Sequence, residues 1–260
     1  MKSRKLAWAA LAVGWTVGMG LAAEDVMVGA SADVSVLSAY VWRGQVLNDE
    51  AVIQPAATVT KGGFALNIWG NLNLTDAATG DSVEFSEVDL TVSYSRAVGP
   101  VSLGGGLIEY LFPNQTLKKA GGAVVGYPGT REVYLSAILP GLPVVPALAV
   151  YWDFGEADSF YGLASLAYGA KLSETLNMNL SASIGYGADG YNAFYFGVDD
   201  NAFNDANFDA SLTWTPCSCL SVTPAYQYTM LADSDIEDAA AGLYKGKDQS
   251  IVSLKATYTF

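Results

Sequence analysis

A chain of 260 residues that is 51% apolar and only 15% charged has more oily surface than one soluble core readily hides. Its net charge of −13 excludes nucleic acid as a partner drawn by charge. It contains no histidine, which removes the usual general base of hydrolytic enzymes.

Residues 1–23 set Lys2, Arg4 and Lys5 ahead of an apolar run from Leu6 to Leu21, with the small residues Ala22 and Ala23 after it. This is the pattern of a signal peptide cleaved near Ala22 or Ala23, which implies export and leaves 24–260 as a single domain. Losing those three bases takes the chain from 13 to 10 basic side chains against 26 acidic ones, and the net charge from −13 to −16. One later stretch, Val133 to Trp152, is long and uncharged enough to suggest a membrane helix. Pro140, Pro143 and Pro146 break it, so it reads as two strands joined by a turn. A chain that crosses a bilayer without a second helix must do so as a closed sheet, because lipid offers no partner for unpaired backbone groups.

Period-two alternation runs through the rest. Weaker copies at 32–44 and 50–60 precede a clean one from Phe64 to Leu74, where Phe64, Leu66, Ile68, Leu72 and Leu74 alternate with Asn67, Trp69, Asn71 and Asn73. Further weak copies follow at 84–96, 101–112, 130–139, 146–155 and 160–172. Leu176 to Tyr186 alternates cleanly, as do 207–214, 220–228 and 249–260. Together these predict an all-β fold, a transmembrane antiparallel up-and-down β-barrel of about 12 strands. Ten or fourteen stay open, since Leu103 to Leu111 and Val133 to Leu139 fit either face.

The connections alternate in length. Tight ones near 61–63, 97–100, 173–175 and 217–219 are expected in the periplasm, and long ones near 75–83, 113–129, 187–205 and 231–248 outside the cell. Trp42, Tyr94, Tyr110, Phe112, Trp152, Tyr168, Tyr186, Trp214, Tyr226, Tyr228 and Tyr258 take outward parity, as interfacial aromatic girdles do. Cys217 and Cys219 fall in a tight turn, at a spacing poor for a metal and strained for a disulfide, so they read as a local turn feature that oxidises.

Two sets of residues resemble outer-membrane proteins. Phe260, with Tyr258, Ala256 and Leu254 on its face, resembles the C-terminal signature read by the barrel-assembly machinery. The stretch Ser38-Ala39-Tyr40-Val41-Trp42-Arg43-Gly44 resembles the S-x-Y-x-x-R-G motif of the TorF-like outer-membrane proteins. Trp69-Gly70-Asn71, Glu109-Tyr110 before Phe112-Pro113, Glu132-Val133-Tyr134 and Tyr151-Trp152-Asp153 follow in order. The resemblance implies a barrel with a channel-like role.

Strand direction gives inward side chains a height. Arg43, Asn71, Asn73, Glu87, Asp89, Glu109, Glu132, Asp153 and Asp209 are expected inside the extracellular half, with Lys171 and Lys255 lower. Carboxylates crowded in a narrow passage need cations, protons or Arg43 beside them. One reading is a constriction passing small polar or cationic solutes. The other is a closed structural barrel in which Arg43 bridges Glu109, Glu132 or Asp153. A third class, a surface binder, would use loop 187–205 with Asp189, Tyr191, Tyr195, Asp199, Asp200 and Asp205. No catalytic residue, cofactor or metal site is expected. The partners expected are the lipid bilayer, the barrel-assembly machinery through Phe260, and small polar solutes, with no nucleic acid.

Overall fold

The computed structural model describes residues 28–75, 83–118 and 124–260. The expected signal peptide lies outside the described residues, as do 76–82 and 119–123 within two of the expected long links. In chain order the elements are β1 (Gly29–Leu37), β2 (Tyr40–Trp42), β3 (Gln45–Asn48), β4 (Val52–Lys61), β5 (Phe64–Asn73), β6 (Glu84–Val98), β7 (Val101–Leu111), β8 (Thr116–Lys118), β9 (Val124–Gly126), β10 (Thr130–Ile138), β11 (Val144–Asp153), β12 (Ser159–Lys171), β13 (Leu176–Gly187), α1 (Asp189–Tyr195), β14 (Ala202–Cys217), β15 (Leu220–Leu231), α2 (Ser234–Leu243) and β16 (Asp248–Thr259). Twelve of the strands close into one antiparallel barrel, in the order β1-β16-β15-β14-β13-β12-β11-β10-β7-β6-β5-β4. Closure is direct: Ala32 pairs with Tyr258 and Val36 with Leu254, so β1 and β16 leave no edge.

Alternate residues of each strand meet different surroundings. On β5, Phe64, Leu66 and Ile68 are exposed outward while Asn71 and Asn73 are fully buried inside. The outer surface is an apolar belt in which Leu135, Leu148 and Val252 are largely exposed, a surface that hydrocarbon accepts and water does not. Aromatic pairs border the belt. Phe64 and Tyr94 lie 4.7 Å apart toward the end with the tight turns, and Trp152 stacks on Phe160 at 6.0 Å toward the end with the long loops.

The prolines act as expected, with Pro140 in the turn between β10 and β11. Pro146 lies on β11 and lends its carbonyl to the Leu139 N–H. Two expectations are corrected. The strand expected over 32–44 ends at Leu37, and 40–48 forms a separate two-stranded ribbon, β2–β3, that turns into the lumen. The parity of β7 is reversed, because Leu103, Leu107 and Leu111 face out, which puts Glu109 outside and Tyr110 inside. The apolar pull of three leucines decides the face. Glu109 then pairs with Arg131, its register partner on β10, on the barrel exterior, the Arg131 Nη2 donating to Oε1 at 2.9 Å.

Candidate functional site

The loop end of the barrel is filled by side chains. The ribbon β2–β3 enters between the walls and turns through Arg43 and Gly44, both at positive φ (48° and 80°), with Trp42 facing Gln45 across a two-residue loop. A primed turn of this kind matches the twist of a ribbon, and glycine suits its second position. Arginine at positive φ is uncommon, so its surroundings must hold it there.

Those surroundings form a cage. The Arg43 guanidinium donates from Nη1 and Nη2 to the two oxygens of Glu132, each at 2.7 Å. It lies 4.3 Å from the ring centre of Tyr161, 4.4 Å from Tyr151, 4.5 Å from Trp42 and 5.9 Å from Tyr191. A planar, delocalised cation is the one basic side chain able to use two carboxylate oxygens and several ring faces together. Tyr110 adds its hydroxyl to Glu132 Oε2 at 2.8 Å, and Glu132 is 1% exposed. The Tyr161 hydroxyl donates to Asp205 Oδ1 at 2.8 Å. Gly44 fits because a side chain there would collide: an added Cβ would lie 2.6 Å from Leu231 Cδ2 and 2.9 Å from Asp205 Cβ.

The rest of the ribbon is tied to the wall. Tyr40 donates to Glu87 Oε2 at 2.7 Å, and Asn48 donates to Asn73 at 3.0 Å. Gln54 on β4 donates to Asn71, which donates in turn to Asn73 and Ser86. From above, α1 brings in Tyr191 and Tyr195, one turn apart, and Tyr195 donates to Asp153 Oδ2 at 3.2 Å. α2 starts at Asp233, whose carboxylate accepts from the Asp235 and Ile236 N–H groups, and its buried Ile236 and Ala240 face the same cluster.

Of the residues expected in the lumen, Arg43, Asn71, Asn73, Glu87, Glu132 and Asp153 are brought together in this plug. Asp89 and Asp209 face a chamber below it, with Asp209 at mid-height accepting from Ser181 at 3.1 Å. Glu109 is outside, as described above. Trp42 and Tyr110, read as outward, face each other inside at 5.9 Å. Lys255 lines the chamber, and Lys171 pairs with Glu174 at an exposed turn. The tyrosines of loop 187–205 pack into the plug, Tyr191 fully buried and Tyr195 partly so. Tyr161 was not singled out in the sequence, and Tyr151 only within the Tyr151-Trp152-Asp153 motif, although each takes the parity of a polar inward neighbour, Ser159 and Asp153.

The chamber offers about 240 Å³ to water and is lined by polar side chains that include Asp33, Asn67, Asp89, Asn207, Asp209, Gln227 and Lys255. Its four aspartates, Asp33, Asp89, Asp205 and Asp209, outnumber its two bases, Arg43 and Lys255, and Arg43 is already committed to Glu132.

A closed, twelve-stranded antiparallel barrel with an apolar outer belt, a filled loop end and a polar-lined chamber has the fold of outer-membrane barrels. Three solved proteins share the architecture at low identity. They are the COG4313 outer membrane channel from Pseudomonas putida F1 (9% identical, TM-score 0.56, covering 89% of this chain and 95% of that one), the KdgM porin (10%, 0.54, 88% and 99%) and the NanC porin (9%, 0.52, 87% and 98%). Residues 22–258 match the Gcw_chp model, described as a bacterial protein of unknown function, and the chain belongs to that family. The barrel that the TorF-like motifs implied is present, while the TorF-like name is not confirmed by the family match. Among curated proteins no sequence matches.

Proposed function

We propose that this protein is a narrow outer-membrane channel for small polar or cationic solutes, with the end filled by the β2–β3 ribbon facing out of the cell. The chamber beneath the ribbon carries the reading. It keeps carboxylates, amides and hydroxyls around an unfilled space, the kind of lining that selects polar solutes by charge. The acidic excess disfavours anions. The KdgM porin has also been solved with oligogalacturonate, a chain of acidic sugars, and the chamber here has the wrong sign for a polyanion. Export by the N-terminal segment and assembly through Phe260, which is 79% exposed beside Tyr258, complete the proposal. Reversal potentials across a salt gradient in planar bilayers test it. Cation preference is expected, and clear anion preference ends it.

The Arg43–Glu132 pair favours a second reading, a closed structural barrel, because the plug is pinned from several strands at once. Under that reading pure refolded protein gives no single-channel steps, and Arg43→Ala lowers stability without producing any.

A further inference from the structure

Resting on the channel reading, we infer that the station now filled by Arg43 is a binding site for solutes of the guanidinium or substituted-ammonium class, and that Arg43 is its resident competitor. The fixed parts of the station stand on four wall strands: Glu132 on β10, Tyr110 on β7, Tyr151 on β11 and Tyr161 on β12. They remain in place if the ribbon withdraws, and only Trp42 and Arg43 leave with it.

The chemistry of the station selects its ligand. Two carboxylate oxygens at 2.7 Å from two nitrogens, with ring faces at 4.3 and 4.4 Å, suit a flat or weakly hydrated organic cation. Small metal cations favour oxygen shells and keep their water, so the rings offer them little. The chamber below touches Arg43, Tyr110, Tyr151 and Tyr161, so a solute held in it stands beside the station, and its aspartates favour a cation there. The ribbon tip is held by this contact against its own backbone preference, with Arg43 at φ 48°. A solute that takes the station therefore removes what keeps the tip seated, and binding is coupled to opening.

The resident arginine acts at an effective concentration in the millimolar range or above, so an external cation meets strong competition in the wild-type protein. The test uses the full-length mature protein refolded into liposomes and planar bilayers, with guanidinium chloride against sodium chloride at equal ionic strength. In Arg43→Ala, guanidinium is expected to raise the barrel's thermal transition while sodium does not. Its half-maximal concentration should be about tenfold or more below that needed to open current in the wild type. Adding Glu132→Gln should abolish the preference. Arg43→Gln, neutral and of similar reach, serves if the alanine variant does not fold. Equal response of a folded variant to guanidinium and sodium overturns the inference, and if current still flows the channel reading survives. Selective stabilisation by guanidinium with no current from any variant upholds the site and sinks the channel.

Discussion

The two halves of this barrel share one wall and differ in what they hold. Toward the loop end the inward side chains include Tyr40, Arg43, Asn71, Asn73, Tyr110, Glu132, Tyr151 and Tyr161, packed together and largely buried, with the chamber meeting only the lower face of the cluster. Toward the turn end the same strands turn inward Ser31, Thr58, Ser93, Ser95, Ser102, Ser165 and Asn179, all partly exposed. A barrel of this width can be filled or left wet, and side-chain size decides which. The polar groups of the filled half must largely satisfy each other, because little water reaches them. Those of the wet half have solvent as partner, so a substitution should cost several kcal/mol in one half and little in the other.

The largest expected effect is at Arg43. Arg43→Ala leaves buried Glu132 with Tyr110 as its one remaining hydrogen-bond donor among the described residues and should cost about 3–5 kcal/mol of folding free energy. Lys255→Ala, at a chamber-lining position, should cost within about 1 kcal/mol. Urea titration in liposomes, followed by tryptophan fluorescence, measures both. A double-mutant cycle with Glu132→Gln isolates the pair. Equal costs at Arg43 and Lys255 would erase the distinction between the halves.

Glycine gives the next contrast. Gly44 and Gly99 both have positive φ, 80° and 60°, so alanine strains the backbone at either. Only at Gly44 does the new carbon strike neighbours, since nothing lies within 4 Å of a Cβ at Gly99. Gly44→Ala should therefore exceed Gly99→Ala by about 1–3 kcal/mol in the same titration. Hydroxyls should behave likewise. Tyr161→Phe removes the donor to buried Asp205 and should cost about 1–3 kcal/mol. Ser165→Ala, at a partly exposed inward position, should stay within about 0.5 kcal/mol.

This contrast also explains how much could be read from the chain. The wall was legible because hydrocarbon and lumen impose period two on every strand, and the twelve strands fall close to where alternation places them. The plug was less so. In 32–44 the alternation of Leu37, Ala39, Val41 and Arg43 continues past the true strand end, because a ribbon packed in the lumen has a period of two as well. The two-residue Arg43-Gly44 turn was the available signal. On β7 the inward face carries one polar mark, Ser102, followed by Gly104, Gly106, Ile108 and Tyr110, which is too little to fix the parity of Glu109. Arg43 had three carboxylate candidates, Glu109, Glu132 and Asp153. Only three-dimensional register could choose: Asp153 sits directly across from Glu132, and Glu109 lies on the other face.

The smallest expected effect lies at the far end of the wet half, in the turn between β14 and β15. Cys217 pairs with Leu220 after a register shift that begins at Trp214, beyond the aromatic border of the lipid belt. The two sulfurs lie 2.7 Å apart, Cys217 is exposed, and neither cysteine is part of a buried cluster. Serine preserves the length and polarity of both positions, so replacing both should change folding free energy by no more than about 0.5 kcal/mol and leave bilayer currents as they were. A loss well above that would mean the turn constrains the barrel through its sulfurs. The wet half would then owe its shape to a local link as well as to strand pairing, and its tolerance of substitution would stop short of the turns.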